Sequence, residues 1–186
     1  MTRRAPVVLL LAYGMTAAAQ GQEKVNRDSL VLKDFSGRVA DYVKVHKAAQ
    51  ADVHRLKPTN SPEEIKRYEH ALAHRIRELR RGAVQGNLFT PEIAEVFRRL
   101  IGATMQGPEG VRIRESLQHA APVNAQPIRV NSAYPDGLPL QSTPPSLLSN
   151  LPALPPEVEY RVVGADLIIR DVDANLVVDF IAKVVP

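Results

Sequence analysis

The chain has 186 residues, 45% of them hydrophobic and 24% charged, and a formal net charge of +4. That length suits one domain, or one domain with an appendage. It has no Cys, which excludes a disulfide framework, a thiol nucleophile and a lipid-modified cysteine; with aromatics at 5% and no Trp, an aliphatic core is expected.

The first nineteen residues read as a secretory signal peptide. Arg3 and Arg4 form a basic start, Pro6 to Ala12 is an apolar run, and Ala17 and Ala19 give the A-x-A spacing for cleavage before Gln20. The run is too short for a membrane span. Residues 20–33 then read as a flexible N-terminus. The expected address is exported, periplasmic or extracellular, and soluble after cleavage, with no transmembrane segment. Loss of Arg3 and Arg4 lowers the charge from +4 to +2.

Residues 34–119 read as a helical domain. Phe35, Val39, Tyr42, His46, Ala49, Val53 and Leu56 follow spacings of four and three, one helical seam with Asp34 as its N-cap and Pro58 as its stop. Ser61-Pro62-Glu63-Glu64 opens a second helix, with a serine cap, a proline in the first turn and Glu64 completing a capping box. Its apolar face is Ile65, Tyr68, Leu72, Ile76, Leu79 and Ala83. Thr90-Pro91-Glu92 starts a third helix with Ile93, Phe97, Leu100 and Ile101 inward, and 108–119 fits a fourth. Short connections favour antiparallel packing, so a bundle of three to four helices is expected.

Residues 120–156 change character. Nine prolines fall between Ala121 and Pro156, which no helix survives. Ile128, Val130, Tyr134, Leu147, Leu148, Leu151 and Leu154 are also there, and flexible linkers are poor in such residues. The stretch reads as an extended proline-rich strap laid over the helices.

Residues 157–186 read as a β-hairpin followed by a helix. Val158, Tyr160 and Val162 alternate with charged residues, Gly164-Ala165-Asp166 makes the turn, and Leu167 to Ile169 form the return strand. Leu176, Val177, Phe180, Ile181 and Val184 suggest a helical stripe, with Asp171 and Asp173 as caps. Such a unit buries too little surface alone. It is expected to pack on the helical domain, giving a mainly α, α+β fold overall. The charge is uneven: residues 31–119 carry sixteen Lys or Arg against eleven Asp or Glu, and residues 120–186 carry four against seven. That asymmetry suggests halves that attract each other, and secondly a surface for an anionic partner.

The stretches RVNSAYP, TPPSLL, LPALPPEVEYR and DLIIRDVDANLVVDFI resemble a family of small uncharacterised exported bacterial proteins. Its pattern joins a proline-rich strap to a block of the form E-Y-R, L-I-x-x-D, A-N-L-V-V-D. The match covers 127–186, and the helical half matches in outline. The resemblance implies an exported location and brings no activity, cofactor or catalytic residue.

Glu63, Arg67, His70, His74, Arg77 and Arg81 lie on one exposed, mostly cationic stripe of the second helix, outside its apolar face. His70 and His74 have the i, i+4 spacing of a shared metal. Arginines beside them repel a cation, and Arg67 and Ala71 stand where a Glu-x-x-His pair needs glutamates. The stripe reads as a solvated face, or as a binding surface for an anion or acidic partner, with no metal and no cofactor expected. His46, on the apolar seam, reads as a buried neutral histidine bonded to a backbone carbonyl or hydroxyl. Asp166, Asp171, Asp173 and Asp179 form the one carboxylate cluster; turn and cap roles account for the first three. The sequence carries no G-x-S-x-G, no phosphate loop, no H-E-x-x-H and no Gly-rich nucleotide turn.

The function expected is that of a non-catalytic binding or interaction module of the cell envelope, with an acidic or anionic protein partner and no nucleic acid. The alternative is a hydrolase or metal-dependent enzyme using the C-terminal aspartates with His46 or His119. Oligomeric state stays open.

Overall fold

The computed structural model describes residues 16–120, 127–134 and 143–185, with side chains from 27 to 117 in the first segment. Five helices and three strands form a mixed α+β fold: α1 (Thr16–Asp52), α2 (Pro62–Leu79), α3 (Pro91–Met105), α4 (Pro108–Ala120), α5 (Pro145–Leu148), β1 (Val158–Val163), β2 (Asp166–Asp171) and β3 (Leu176–Ile181). The basic and apolar parts of the signal-peptide reading, residues 1–15, lie outside the described residues. No helix among the described residues is long and apolar enough to cross a membrane.

Three expectations need correction. Residues 20–33 lie within a 37-residue helix and are no flexible leader. The seam starts earlier, at buried Val31, and Arg99 on α3 holds Asp28 at 2.6 Å. Asp34 is consequently interior to α1 and pairs with Arg38 one turn on, instead of capping. Nor do the helices close into a three- to four-helix bundle. Helix α1 packs on α2 and α3, α3 packs on α4 and α5, and a sheet completes the core. The N-caps of α2 and α3 do form: Ser61 Oγ accepts from Glu64 N–H at 3.4 Å, and Thr90 Oγ1 accepts from Ile93 N–H at 3.3 Å.

The third correction is the last element. Residues 176–181 form a strand, so the C-terminal unit is a three-stranded antiparallel sheet of order β1-β2-β3. Gly164, at φ 60°, serves the two-residue turn between β1 and β2. Between β2 and β3 the register slips: Ile169 pairs with Asp179 but Arg170 pairs with Val177, leaving Val178 as the extra residue of a β-bulge. On β2, Leu167, Ile169 and Asp171 face the helices, whereas Ile168 and Arg170 face away. On β3, Leu176 faces in and Val177 out. The bulge then lets Val178 and Asp179 both face in, after which Phe180 faces out and Ile181 in. Two consecutive inward residues turn a period of two into the spacing that imitates a helix. The β-branched Val177, Val178 and Ile181 were the strand signal beneath it.

One face of the sheet joins the helices in the main core. Composition suggested aliphatic packing, yet three of the four phenylalanines meet there. Phe35 of α1, Phe89 before α3 and Phe97 of α3 have ring centroids 4.9–5.5 Å apart, and Tyr160 of β1 adjoins Phe97 at 6.1 Å. The other face is covered by the strap segment 127–134, where Tyr134 and Ile128 pack with Val163, Ile168, Val177 and Phe180. This segment also caps the free edge of β3: Asn131 N–H donates to Val177 O, Val177 N–H to Ser132 O, and Tyr134 N–H to Asn175 O, at 2.8–2.9 Å. Further along, the single helical turn α5 corrects the expectation that no helix survives among these prolines, since Pro145 is tolerated in its first turn, and Leu147 and Leu151 are buried in the main core.

Candidate functional site

Two polar assemblies stand out, one buried and one exposed. The buried one ties α1 to the sheet. Tyr42 and His46 lie one turn apart on α1, so both side chains reach the same point. That point is Asp171 Oδ2, which accepts from Tyr42 Oη–H at 2.6 Å and lies 2.6 Å from His46 Nδ1. Asp171 Oδ1 accepts from Ala174 N–H at 2.8 Å, closing the β2–β3 turn. The guanidinium of Arg80 sits 4.9 Å from the centre of the Tyr42 ring and donates to Asn131 Oδ1 and Val178 O.

The electrostatics follow from this geometry. Burial disfavours a charged imidazole, but the hydrogen bond and charge of Asp171 outweigh it, and the His46 pKa is raised above its ordinary value. Burial, with Asp171 adding to it, pushes the Tyr42 hydroxyl up as well, so it stays a donor. Burial lowers Arg80, with Tyr42, Asp179 and Asp171 opposing.

A second buried carboxylate, Asp179, holds the loop before α3. Its Oδ2 accepts from Leu88 and Phe89 N–H at 2.7 and 2.9 Å; its Oδ1 accepts from Gly86 and Phe180 N–H at 3.0 and 2.9 Å. The bulge at Val178 aims this carboxylate inward. The expected place of Asp179 on a helix face is thereby corrected. Asp166 opens β2 and accepts from Lys183 N–H at 2.9 Å, so its carboxylate holds the segment after β3 and not the hairpin turn expected of it. Asp171 caps a strand turn and not a helix.

His46 meeting Asp171 has the base–carboxylate geometry that the catalytic alternative requires. Its setting does not fit general-base work. A base must reach its substrate's proton, whereas the His46 side chain is 1% exposed and its second nitrogen faces Asp173 at 3.6 Å. The pair is built as a latch between α1 and β2. Its partner corrects the expected backbone carbonyl or hydroxyl. The side chain of His119 lies outside the described residues.

The exposed assembly is the cationic face of α2. Arg67, His70, His74 and Arg81 are exposed and make no hydrogen bond or ion pair with any described residue. Arg77 departs from the stripe: its Nε donates to Asn131 O at 2.7 Å, fastening the strap to α2. The apolar face is narrower than its sequence, since Ile65 and Leu79 are exposed while Leu72, Ala73 and Ile76 are buried. No group of three or more His, Cys, Asp or Glu among the described residues is placed to hold a metal ion. The face continues into His54, Arg55 and Lys57 in the turn after α1, which meet Arg67 around one groove. Sequence reading passed over these three, although the run His54-Arg55-Leu56-Lys57 stood beside the helix-stopping Pro58.

Among the described residues, no acid of the C-terminal half pairs with this face. Glu157 pairs with Lys47, Glu159 with Arg161 and Arg170, and Asp171 and Asp179 are buried as described. The two halves are joined mainly through apolar core and buried hydrogen bonds. Compared with known proteins, the chain matches no family model, no curated protein and no solved structure.

Proposed function

We propose that the protein is a non-catalytic binding module of the exported compartment, and that the outward face of α2 engages an acidic segment of a partner protein. One observation carries this: Arg67, His70 and His74 on α2, and Arg81 just beyond its end, are exposed and form no hydrogen bond or ion pair with any described residue, Glu78 alone acting on His74 and Arg81 through its charge. Arg67, His70 and His74 span seven positions of α2, about 10 Å along the helix, which matches about three residues of extended chain, and Arg81 stands in the turn just beyond the helix end. The signal-like first nineteen residues and the resemblance of 127–186 to small exported bacterial proteins support the location.

The test is fluorescence anisotropy with a labelled glutamate-rich peptide. Saturable binding is expected that weakens as salt screens it. A His70→Ala, His74→Ala, Arg81→Glu triple variant with an unchanged melting temperature should bind several-fold more weakly. Equal binding by that variant, or no saturable binding at low salt, overturns the reading. The location fails separately if mass spectrometry of the exported fraction finds an intact Met1.

A further inference from the structure

We infer that the N-terminal end of this cationic face is a pocket for an apolar anchor side chain of the acidic segment, an inference that rests on the reading just given. The pocket lies where the end of α1, the following turn and the first turns of α2 converge. Its volume is about 430 Å³, within the range of roughly 300–1,000 Å³ typical of ligand sites.

Its floor is apolar and held by the core. Val53 and Tyr68 pack against the main cluster, and Gln50 Nε2 donates to Tyr68 Oη at 3.2 Å, which fixes the ring. The half-buried Leu56 and the exposed Ala71 also line it. The rim is cationic: Arg55, Lys57 and Arg67 are exposed and unpaired among the described residues, against one lining carboxylate, Glu64. Three nearby acids make contacts elsewhere. Asp52 holds Arg75 at 2.7 Å, Glu78 holds the same arginine at 3.0 Å, and Glu63 accepts from Ser61 Oγ.

An apolar floor ringed by uncompensated cations favours an occupant with an apolar group flanked by carboxylates. Arg67 belongs to both the rim and the α2 stripe, so one extended segment can seat a side chain here and run along α2. A second groove, of about 410 Å³ beside Phe35, Val39 and Val43, lacks this complementarity. Its lysines are paired, Lys44 with Asp41 and Lys47 with Glu157.

The experiment compares labelled peptides of alternating glutamate and leucine, alternating glutamate and serine, and alternating lysine and leucine on the full chain. The glutamate–leucine peptide should bind roughly tenfold tighter than the glutamate–serine peptide, the expected gain from burying one aliphatic side chain. The lysine–leucine peptide should not bind. Ala71→Glu puts a carboxylate in the pocket lining and should remove the preference for leucine while sparing glutamate–serine binding. Should that variant fail to fold, Arg55→Ser with Lys57→Ser, both exposed in the turn, is expected to weaken glutamate–leucine binding several-fold. The α2 triple variant, in contrast, should weaken both acidic peptides. Equal binding of the two acidic peptides, with both weakened by the triple variant, overturns the anchor pocket and leaves the α2 face standing. Failure of both to bind overturns the two together. Binding of the lysine–leucine peptide, or self-association abolished by Ala71→Glu in sedimentation, also overturns the acidic-segment occupant.

Discussion

His46 of α1 and Asp171 of β2 lie 2.6 Å apart with side chains 1% and 0% exposed. The contact spans 125 positions of sequence, so it forms only when the long first helix and the sheet are in place together. Because the His46 pKa is raised in the folded chain, its ionised form contributes stability that is complete below the unfolded histidine value, about 6.5. The contribution fades as pH rises through the elevated folded value. Urea midpoints of the wild type and His46→Gln should therefore differ most below about pH 6.5 and draw together as pH rises above it. A difference that stays constant as pH rises contradicts an ionised histidine at this position. His46→Ala, which also leaves a cavity, should cost about 3–5 kcal/mol at neutral pH, since the buried Asp171 loses a partner.

Asp179 makes a second test of the sheet's role. Four backbone N–H groups converge on its carboxylate, and those of Leu88 and Phe89 are buried. Each buried donor left unsatisfied costs about 1–3 kcal/mol. Asp179→Ala should destabilise by at least about 3 kcal/mol, and Asp179→Asn by less, because one acceptor oxygen remains. Amide exchange should report the cause: Leu88 and Phe89 should lose protection beyond the global loss of stability. Unchanged protection at both amides would mean the loop is held by its aromatic contacts alone.

The phenylalanines separate core from cover. Phe97 is fully buried at 0% exposure and touches Phe35, Phe89 and Tyr160. Phe97→Ala should cost about 3–5 kcal/mol. Phe180 is half-buried on the strap-covered face, where about 1–2 kcal/mol is expected from partial burial. Denaturant midpoints measured side by side check the order. A Phe180 variant as damaging as the Phe97 variant would mean that the strap and not the helical layer carries the sheet.

Local signals in the sequence located most of this fold, and its failures share a cause. The starts of α2 and α3 were legible because a capping side chain, a proline and an apolar stripe are neighbours in sequence. The hairpin of β1 and β2 was legible because alternation from Val158 to Val162 and the apolar run Leu167 to Ile169 flank the Gly164 turn. The third strand was not, because the bulge at Val178 places two inward residues in succession, and only pairing with β2 reveals it. The latch was half legible: His46 stood on the seam and Asp171 in the carboxylate cluster, but nothing local joins residues this far apart. For the candidate site, the α2 stripe was readable from helical spacing, whereas Arg77's capture by Asn131 and the groove completed by Arg55 and Lys57 depend on tertiary contacts.

The remaining prediction concerns whether the helices stand alone. The inward face of α1 is covered by α2, α3 and the sheet, and Tyr42 and His46 both terminate on a sheet carboxylate. Ending the chain at His119 would uncover Phe97 from Tyr160. The same cut would strip Leu88 and Phe89 N–H of Asp179, and leave Tyr42 and His46 without an acceptor. The fully buried side chains lost from the core include Leu167, Ile169, Leu176 and Val178. Each loss of such apolar contact is worth on the order of 1.5–3 kcal/mol, against a total stability of about 5–15 kcal/mol for a domain of ordinary size. A chain of residues 23–119 should therefore keep helical circular dichroism but lose the cooperative melt of residues 23–186. It should also bind a dye that reports exposed apolar surface. The same melting temperature and cooperativity in both chains would show that the sheet is an independent module, and that the latch at Asp171 adds nothing to the stability of the helices.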